Sequence, residues 1–241
     1  MYYSFKIPRG HFMNSITRKE LINYPTAVLV SGGLDSAILL ADMVNHKFPK
    51  VWPIFIQCGL YWEKTELHYL KKFINALEAP NLGELVVLDI PVNDLYKDHW
   101  SLTGINVPDI ESPDEAVFLP GRNVLLTAKS LLWCNLNQVK SLSLAVLESN
   151  PFPDATDSFF LGMEQAINES VSGNVKLLRP YAGMHKTDVL KLGKDAPLEH
   201  TFSCIYPTNG VHCGRCNKCA ERKNGFINAS MKDPTSYFYE Q

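Results

Sequence analysis

At 241 residues the chain holds one large domain, or one domain with a small appendage, at roughly 150 residues per domain. Its 46% hydrophobic and 20% charged content excludes disordered, collagen-like and coiled-coil chains. With 23 basic against 25 acidic residues, for a net charge of −2, a broad nucleic-acid or membrane-surface footprint is also excluded, leaving room only for a local basic patch. No apolar run approaches the roughly 18 residues of a membrane span. Residues 1–24 mix Lys6, Arg9, Arg18, Lys19 and Glu20 without an apolar stretch, so the expectation is a cytoplasmic protein with no membrane partner.

The predicted elements alternate along the chain. Residues 26–30 form a short apolar strand that ends at Ser31-Gly32-Gly33, and 36–46 carry Ala37, Leu40, Ala41 and Val44 at helical spacing. Residues 51–56 read as a second strand, and 62–77 as an amphipathic helix with Leu67, Leu70, Phe73, Ile74 and Leu77 on one face. A third strand over 84–90 is closed by Pro91. These strands are continuous apolar runs, which suits a parallel sheet covered on both faces. From 91 to 119 the pattern weakens, and Pro108, Pro113 and several acids predict a long surface loop of the lid or binding kind. A helix is expected over 122–135, a buried strand over 141–147, a turn over 150–154 and a helix over 157–171. A last strand over 175–178 and a short helix over 185–192 follow. The order is that of an α/β fold, a Rossmann-like parallel sheet with helices on both faces over residues 1–180. A small C-terminal lobe over 181–241 carries the clustered cysteines.

Val28-Leu29-Val30-Ser31-Gly32-Gly33-Leu34-Asp35-Ser36 joins the first strand to the first helix. Two glycines allow a sharp turn with bare N–H groups, the helix N-terminus behind them favours an anion, and Ser31 and Ser36 add hydroxyl donors. Asp35 has two readings, orienting a metal-bound phosphate or capping the helix. A Gly-Gly pair alone fits a plain strand–helix turn, whereas the whole Ser-Gly-Gly-Leu-Asp-Ser in this position favours phosphate. The segment resembles the pyrophosphatase loop of the PP-loop ATPases, which cleave ATP between the α and β phosphates and adenylate a substrate oxygen. No Gly-Lys-Ser/Thr follows, so it does not resemble the Walker loop. The resemblance implies AMP and pyrophosphate as products. It assigns nucleotide binding to Val30, Ser31, Gly32, Gly33, Leu34, Asp35, Ser36, Ala37, Ile38, Leu39 and Leu40.

Cys204, Cys213, Cys216 and Cys219 run as C-x8-C-x2-C-x2-C. Four thiolates make a closed tetrahedral zinc site, structural rather than catalytic, one per chain. C-x2-C-x2-C also occurs in ferredoxins, so an iron–sulfur cluster is the alternative, weakened by the absence of a nearby Cys-Pro. His212 is a spare ligand that a fourth cysteine makes unnecessary. Arg215, Lys218, Arg222 and Lys223 against Glu221 alone predict either a solvated helix face or a phosphate- or RNA-facing patch. Cys58 and Cys134 lie in apolar elements and read as inert buried thiols.

With the loop and the cysteine cluster in hand, the chain resembles the 7-cyano-7-deazaguanine synthase family over about residues 27–226. Leu119-Pro120-Gly121-Arg122-Asn123 matches its Pro-Gly-Arg-Asn motif. Arg179-Pro180-Tyr181 through His185-Lys186-Thr187-Asp188 matches its Pro-then-Lys segment. Ser203-Cys204 with Cys213-Gly214-Arg215-Cys216-Asn217-Lys218-Cys219 and Arg222 matches its cysteine segment. The resemblance implies a PP-loop ATPase fold and a ligase acting on 7-carboxy-7-deazaguanine. ATP with Mg²⁺ adenylates the carboxylate, ammonia displaces AMP to give the amide, and a second adenylation on the amide oxygen ends in elimination to the nitrile. Asp35, Ser36, Arg122 and Lys186 are the implied catalytic residues. Gly59, Trp62, Arg122, Asn123, Phe152 and Asp154 are the implied acceptor pocket. A homodimer is implied too, and the aromatic tail Tyr237-Phe238-Tyr239 reads as core packing or as part of its contact.

Two segments depart from the family's pattern. Its Tyr-Pro-Asp-Cys-Arg appears as Phe152-Pro153-Asp154-Ala155-Thr156, and its Gly-Gln-Arg-His as Gly59-Leu60-Tyr61-Trp62. Polar readers are thereby replaced by apolar and aromatic groups, which a site built to hydrogen-bond a polar ring tolerates poorly. The adenylating machinery is expected intact and the acceptor pocket altered, towards a related deazapurine or another carboxylate. Two other classes stay open: a tRNA thiolase, which needs a reactive cysteine, and a non-catalytic nucleotide-binding module.

Overall fold

The structure, a computed structural model, describes residues 21–46 and 48–239. The charged positions from Lys6 to Glu20 lie outside the described residues, and within those described no helix is long and apolar enough to cross a membrane. The described strands are β1 (Thr26–Leu29), β2 (Val51–Gln57), β3 (Val86–Asp89), β4 (Ser141–Ser143) and β5 (Lys176–Leu178). The described helices are α1 (Leu34–Asn45), α2 (Glu63–Leu77), α3 (Asn93–Tyr96), α4 (Trp100–Thr103), α5 (Arg122–Leu136), α6 (Asp157–Ser170), α7 (Lys186–Leu192) and α8 (Asn217–Asn228).

The sheet runs β3-β2-β1-β4-β5 with every neighbouring pair parallel. Side chains of successive strand residues point to opposite faces. Ala27, Ile54, Ile56 and Leu142 pack on one face with Leu131 and Cys134 of α5 and Phe160 of α6. Val28, Phe55 and Leu178 pack on the other with Ile38 and Leu39 of α1, Leu70 and Phe73 of α2, and Val189 and Leu190 of α7. Helices cover both faces, as the continuous apolar strands required. At the centre, Thr26 Oγ1 and Ser141 Oγ share a buried hydrogen bond of 2.7 Å between β1 and β4. The winding reverses at β1, which has β2 on one side and β4 on the other. In open parallel sheets a ligand crevice forms at such a reversal, beyond the carboxyl ends of the strands.

Three expected elements differ. β3 pairs only over Val86–Asp89 instead of 84–90, because it is an edge strand whose residues alternate between half-buried and exposed. β4 pairs only over Ser141–Ser143 instead of 141–147, because β5 ends at Leu178; Leu144 N–H closes on Leu178 C=O at 2.9 Å and the chain then leaves the sheet. Residues 91–119 are not a structureless loop. They hold α3, α4 and a 3₁₀ turn over Asp114–Val117, each four residues long and too short to leave a period in the sequence. The far end of this segment is fastened down: Asn217 N–H donates to Pro108 C=O at 3.0 Å and Asn217 Nδ2 to Ser112 C=O at 2.8 Å.

Candidate active site

The turn after β1 is built around Gly32, whose φ of +82° suits glycine alone. A Cβ there would lie 3.1 Å from the Glu66 carbonyl oxygen and 3.3 Å from Glu66 Cγ, so the loop rests directly on α2. Gly33 is the N-cap of α1 and supplies no side-chain cap. The hydroxyls brace the turn from within. Ser31 N–H donates to Ser36 Oγ at 3.1 Å, Gly33 N–H donates to Ser31 Oγ at 3.3 Å, and the two hydroxyls lie 3.2 Å apart. Asp35 does not cap the helix. Its Oδ2 accepts from Lys186 Nζ at 2.7 Å, and its Oδ1 is buried without a hydrogen-bond partner.

A cavity of about 220 Å³ opens over this turn. Ser31, Gly33, Leu34, Asp35 and Ser36 form its floor, with Trp62 and Glu66 from the start of α2, Arg122 from the start of α5 and Ala145 beyond β4. The C-terminal segment closes it with Lys186, Phe202, Ser203, Ile205, Lys218, Glu221 and Arg222. Phe202 N–H donates to Gly32 C=O at 2.7 Å and ties that segment to the loop. Burial alone would lower the Lys186 pKa, but Asp35, and Glu221 at 3.5 Å, more than offset this and raise it. Burial would raise Glu221, yet Lys186 and Lys218 hold it down to about 2. Glu66 goes the other way: burial pushes its carboxyl up to about 8, against the pull of the Arg122 guanidinium and with a push from Glu63.

Of the six acceptor residues read from the sequence, Trp62 and Arg122 line this cavity. Trp62 is buried and stacks on Trp100, centroids 5.7 Å apart at 20°. Arg122 leaves its Nε buried and without a partner. Asn123 and Asp154 grip each other instead. Asp154 Oδ2 accepts the Asn123 backbone N–H at 3.1 Å, a long-range cap on the first turn of α5, while Asn123 Nδ2 donates to Asp154 C=O at 2.9 Å. This lock aims Arg122, the residue before. Phe152 stacks on Phe118 at 4.9 Å and Gly59 N–H donates to Glu63 Oε2 at 2.9 Å, and neither Phe152 nor Gly59 lines the cavity. Val30, Ala37, Ile38, Leu39 and Leu40 are core residues beneath the loop.

Glu66, Phe202, Ser203, Ile205 and Glu221 were missed by the sequence reading. For Glu66 a signal existed: Glu63, Glu66, Leu70 and Phe73 are the buried residues of α2, so two acids at helical spacing continue its apolar stripe. The basic run around the cysteines is not one solvated face. Lys218 and Arg222 line the cavity, Lys223 Nζ donates to Gly214 C=O at 3.2 Å, and the Arg215 guanidinium lies 3.9 Å from the Tyr239 ring centre. Arg222 is buried and donates to Thr235 Oγ1 at 2.5 Å, Thr201 Oγ1 at 2.8 Å and Leu198 C=O at 3.2 Å.

The four clustered cysteines converge. All are buried, and their sulfurs lie within 4.8 Å of one another, close enough to hold a metal ion. Cys204 Sγ and Cys216 Sγ are 3.8 Å apart, Cys213 Sγ and Cys219 Sγ 3.9 Å. Backbone N–H groups of Tyr206 and Cys213 point at Cys204 Sγ, and those of Arg215 and Cys216 at Cys213 Sγ, each at 3.3 Å. Gly214 turns between two of the ligands with φ +87°, and a Cβ there would stand 2.5 Å from the Tyr239 carbonyl oxygen. His212 is no ligand: its Nε2 accepts the Ser203 N–H at 3.1 Å, and burial holds it neutral. The tail returns onto the cysteine segment, Phe238 N–H to His212 C=O at 2.8 Å and Tyr239 N–H to Cys213 C=O at 3.1 Å. Cys58 and Cys134 are buried but are not part of this group of four, and burial raises the Cys58 thiol to about 11 and Cys134 further.

Comparison with known proteins places this architecture in a family. Residues 26–230 match the model described as Queuosine biosynthesis protein QueC. The 7-cyano-7-deazaguanine synthase of Methanothrix thermoacetophila is 30% identical over 226 residues, covering 87% of this chain and 96% of its own. That of Sulfurimonas denitrificans is 30% identical over 228 residues, covering 90% and 99%. Among solved structures, the U34-tRNA thiolase NcsA from Methanococcus maripaludis with its [4Fe-4S] cluster overlays on 79% of this chain and 64% of its own. That overlay has 13% identity and a TM-score of 0.44, and carries no argument about function. With a family match across the sheet, the loop and the cysteine cluster alike, this chain belongs to the QueC family of queuosine biosynthesis proteins.

Proposed function

We propose that the chain is an ATP-dependent carbon–nitrogen ligase that adenylates 7-carboxy-7-deazaguanine or a close relative. Ammonia then gives the amide and, after a second adenylation, the nitrile, with AMP and pyrophosphate released. The observation that carries this reading is the convergence of the Ser31–Ser36 turn with two cations from distant segments, Arg122 and Lys186, on one cavity. The uncapped N-terminus of α1 and the loop N–H groups would hold the pyrophosphate end. Lys186, kept charged by Asp35 and Glu221, would neutralise the leaving group, and the free Arg122 Nε would face the acyl phosphate. Trp62, Phe202 and Ile205 would keep water from the adenylate. The unpartnered Asp35 Oδ1 suits a hard cation, so Asp35 would hold the Mg²⁺ that arrives with ATP and balances phosphate charge. The test is a mass-spectrometric assay with ATP, ammonium and the deazaguanine acid, reading AMP, amide and nitrile.

For the cysteines the reading is one structural zinc per chain, which the geometry supports. A tetrahedron with bonds of ~2.3 Å has edges of about 3.8 Å; two sulfur pairs lie 3.8 and 3.9 Å apart and all four sulfurs within 4.8 Å of one another. A four-iron cluster would wedge a cube of metal between the thiolates and spread them. The metal would brace residues 181–241 as a lobe behind Lys186. An altered acceptor is favoured by Trp62, an indole on the cavity wall where the family carries histidine.

A further inference from the structure

Glu66 has no role in the account so far. It is 7% exposed, it lines the cavity, and its Cγ lies beneath Gly32 in the turn that would cradle the phosphates. Its neighbour Glu63 is committed, accepting the backbone N–H groups of Cys58 at 2.5 Å and Gly59 at 2.9 Å. No described residue donates a hydrogen bond to the Glu66 carboxylate. The charged groups acting on it are Arg122 from α5 and Glu63 from its own helix, while Gly32 of the turn above packs against its stem. Asp35 and Lys186, across the same cavity, are already paired with each other. Its stem packs under Gly32, but no hydrogen bond in the described residues uses its carboxylate, which would be a liability beside phosphates in this cavity unless it carries a proton at some stage.

We propose that Glu66 is the catalytic proton acceptor for the incoming nitrogen, a role that rests on the ligase reading above. In the first nitrogen step the ammonia lone pair forms the N–C bond at the acyl-adenylate carbon. The C–O bond to AMP breaks with its electron pair leaving on the phosphate oxygen, and the proton shed by nitrogen passes to Glu66. Adenylation of the amide oxygen releases pyrophosphate and one N–H proton, which goes to water, and leaves an O-adenylated imidate. Its remaining N–H proton passes to the same carboxylate as the N–H electrons form the third C–N bond and the C–O bond breaks with its pair leaving on AMP. Between steps Glu66 returns its proton to water. A buried acid that titrates near the working pH suits this exchange.

The test compares wild type with Glu66→Gln in the full chain, at constant free ammonia, after thermal melting has confirmed folding. Acid-dependent exchange of labelled pyrophosphate into ATP is expected to survive in Glu66→Gln. Ammonia-dependent amide formation should fall by roughly 100-fold or more. The wild-type amide rate should rise with pH through a limb near the Glu66 value of about 8, and the variant should lose that limb. If the glutamine variant does not fold, Glu66→Asp replaces it and is expected to keep the limb at a reduced rate. Unchanged amide formation and pH limb in Glu66→Gln overturn the assignment, as does an equal loss of exchange and amide formation in a folded variant, or an Asp variant without the limb. Absence of acid-dependent exchange in the wild type removes the ligase reading and the Glu66 role together.

Discussion

Lys186 Nζ and Asp35 Oδ2 lie 2.7 Å apart, an ion pair that joins the turn after β1 to the first residue of α7 across 151 positions of chain. The pair gives the loop a long-range tie that a plain strand–helix turn does not need. The acid that local rules would make a helix cap instead holds a distant cation over the cavity, and its second oxygen is left without a partner.

Asp35→Ala or Ser36→Ala should therefore fold yet lose pyrophosphate release by roughly 100-fold, the scale of removing one group that stabilises developing charge. Lys186 retains Glu221 in the Asp35 variant, so the fold is not expected to suffer. Wild-type release from either variant, measured with a coupled pyrophosphatase assay, would reduce the loop to a structural turn.

The second partner of Lys186 sets a pH dependence. The Glu221 carboxyl is held down to about 2 from an ordinary 4.5. A depressed acid stabilises the fold fully above its unfolded value, and that contribution is lost as pH falls from about 4.5 towards 2. With a side chain 35% exposed, solvent screening keeps the effect modest. Urea titrations over that window should show a flatter acid limb for Glu221→Gln than for wild type. Coincident limbs would mean that the Lys186–Glu221–Lys218 group adds nothing to stability.

How far the sequence reaches can be seen on particular residues. The continuous apolar strands at 26–30 and 51–56 made the parallel sheet legible, and cysteine spacing alone located the four-thiol site. What stayed hidden depended on tertiary contact. Glu66 continues the apolar stripe of its helix, but its place beneath the loop shows only once Gly32 is found seated on it. Arg222 looks like one charge in a basic run until it is found buried between Leu198, Thr201 and Thr235. Asp154 caps a helix 31 positions away, a relation no local motif carries. The helices α3 and α4 are four residues each, too short for periodicity to register.

Cys216→Ser should lower zinc content and melting temperature together, because metal-binding free energy at a four-thiolate site is folding free energy of the lobe, on the order of 10 kcal/mol or more. Cys134→Ser, a buried thiol in α5 with no part in the cluster, should leave metal content unchanged and cost less stability. Elemental analysis that finds iron, or no metal in a stable protein, contradicts the zinc assignment.

Ala155→Cys with Thr156→Arg restores the family's usual residues beside Asp154. Thr156 Oγ1 accepts the Phe159 N–H at 3.3 Å as the N-cap of α6, so the change should cost about 1 kcal/mol of stability. If this segment shapes acceptor choice, kcat/KM for 7-carboxy-7-deazaguanine should shift relative to its amide. Equal ratios in wild type and double variant would show that the departure at 155–156 is neutral to specificity.

The central claim, adenylation of a carboxylate at the cavity joining Ser31–Ser36, Arg122 and Lys186, is tested most directly by the nucleotide products. Wild-type protein with ATP, Mg²⁺, ammonium and 7-carboxy-7-deazaguanine, followed by ³¹P NMR and mass spectrometry, should form AMP and pyrophosphate in equal amounts, only when the acid is present, together with amide and nitrile. Formation of ADP and phosphate, or AMP at the same rate without any acid, would contradict it.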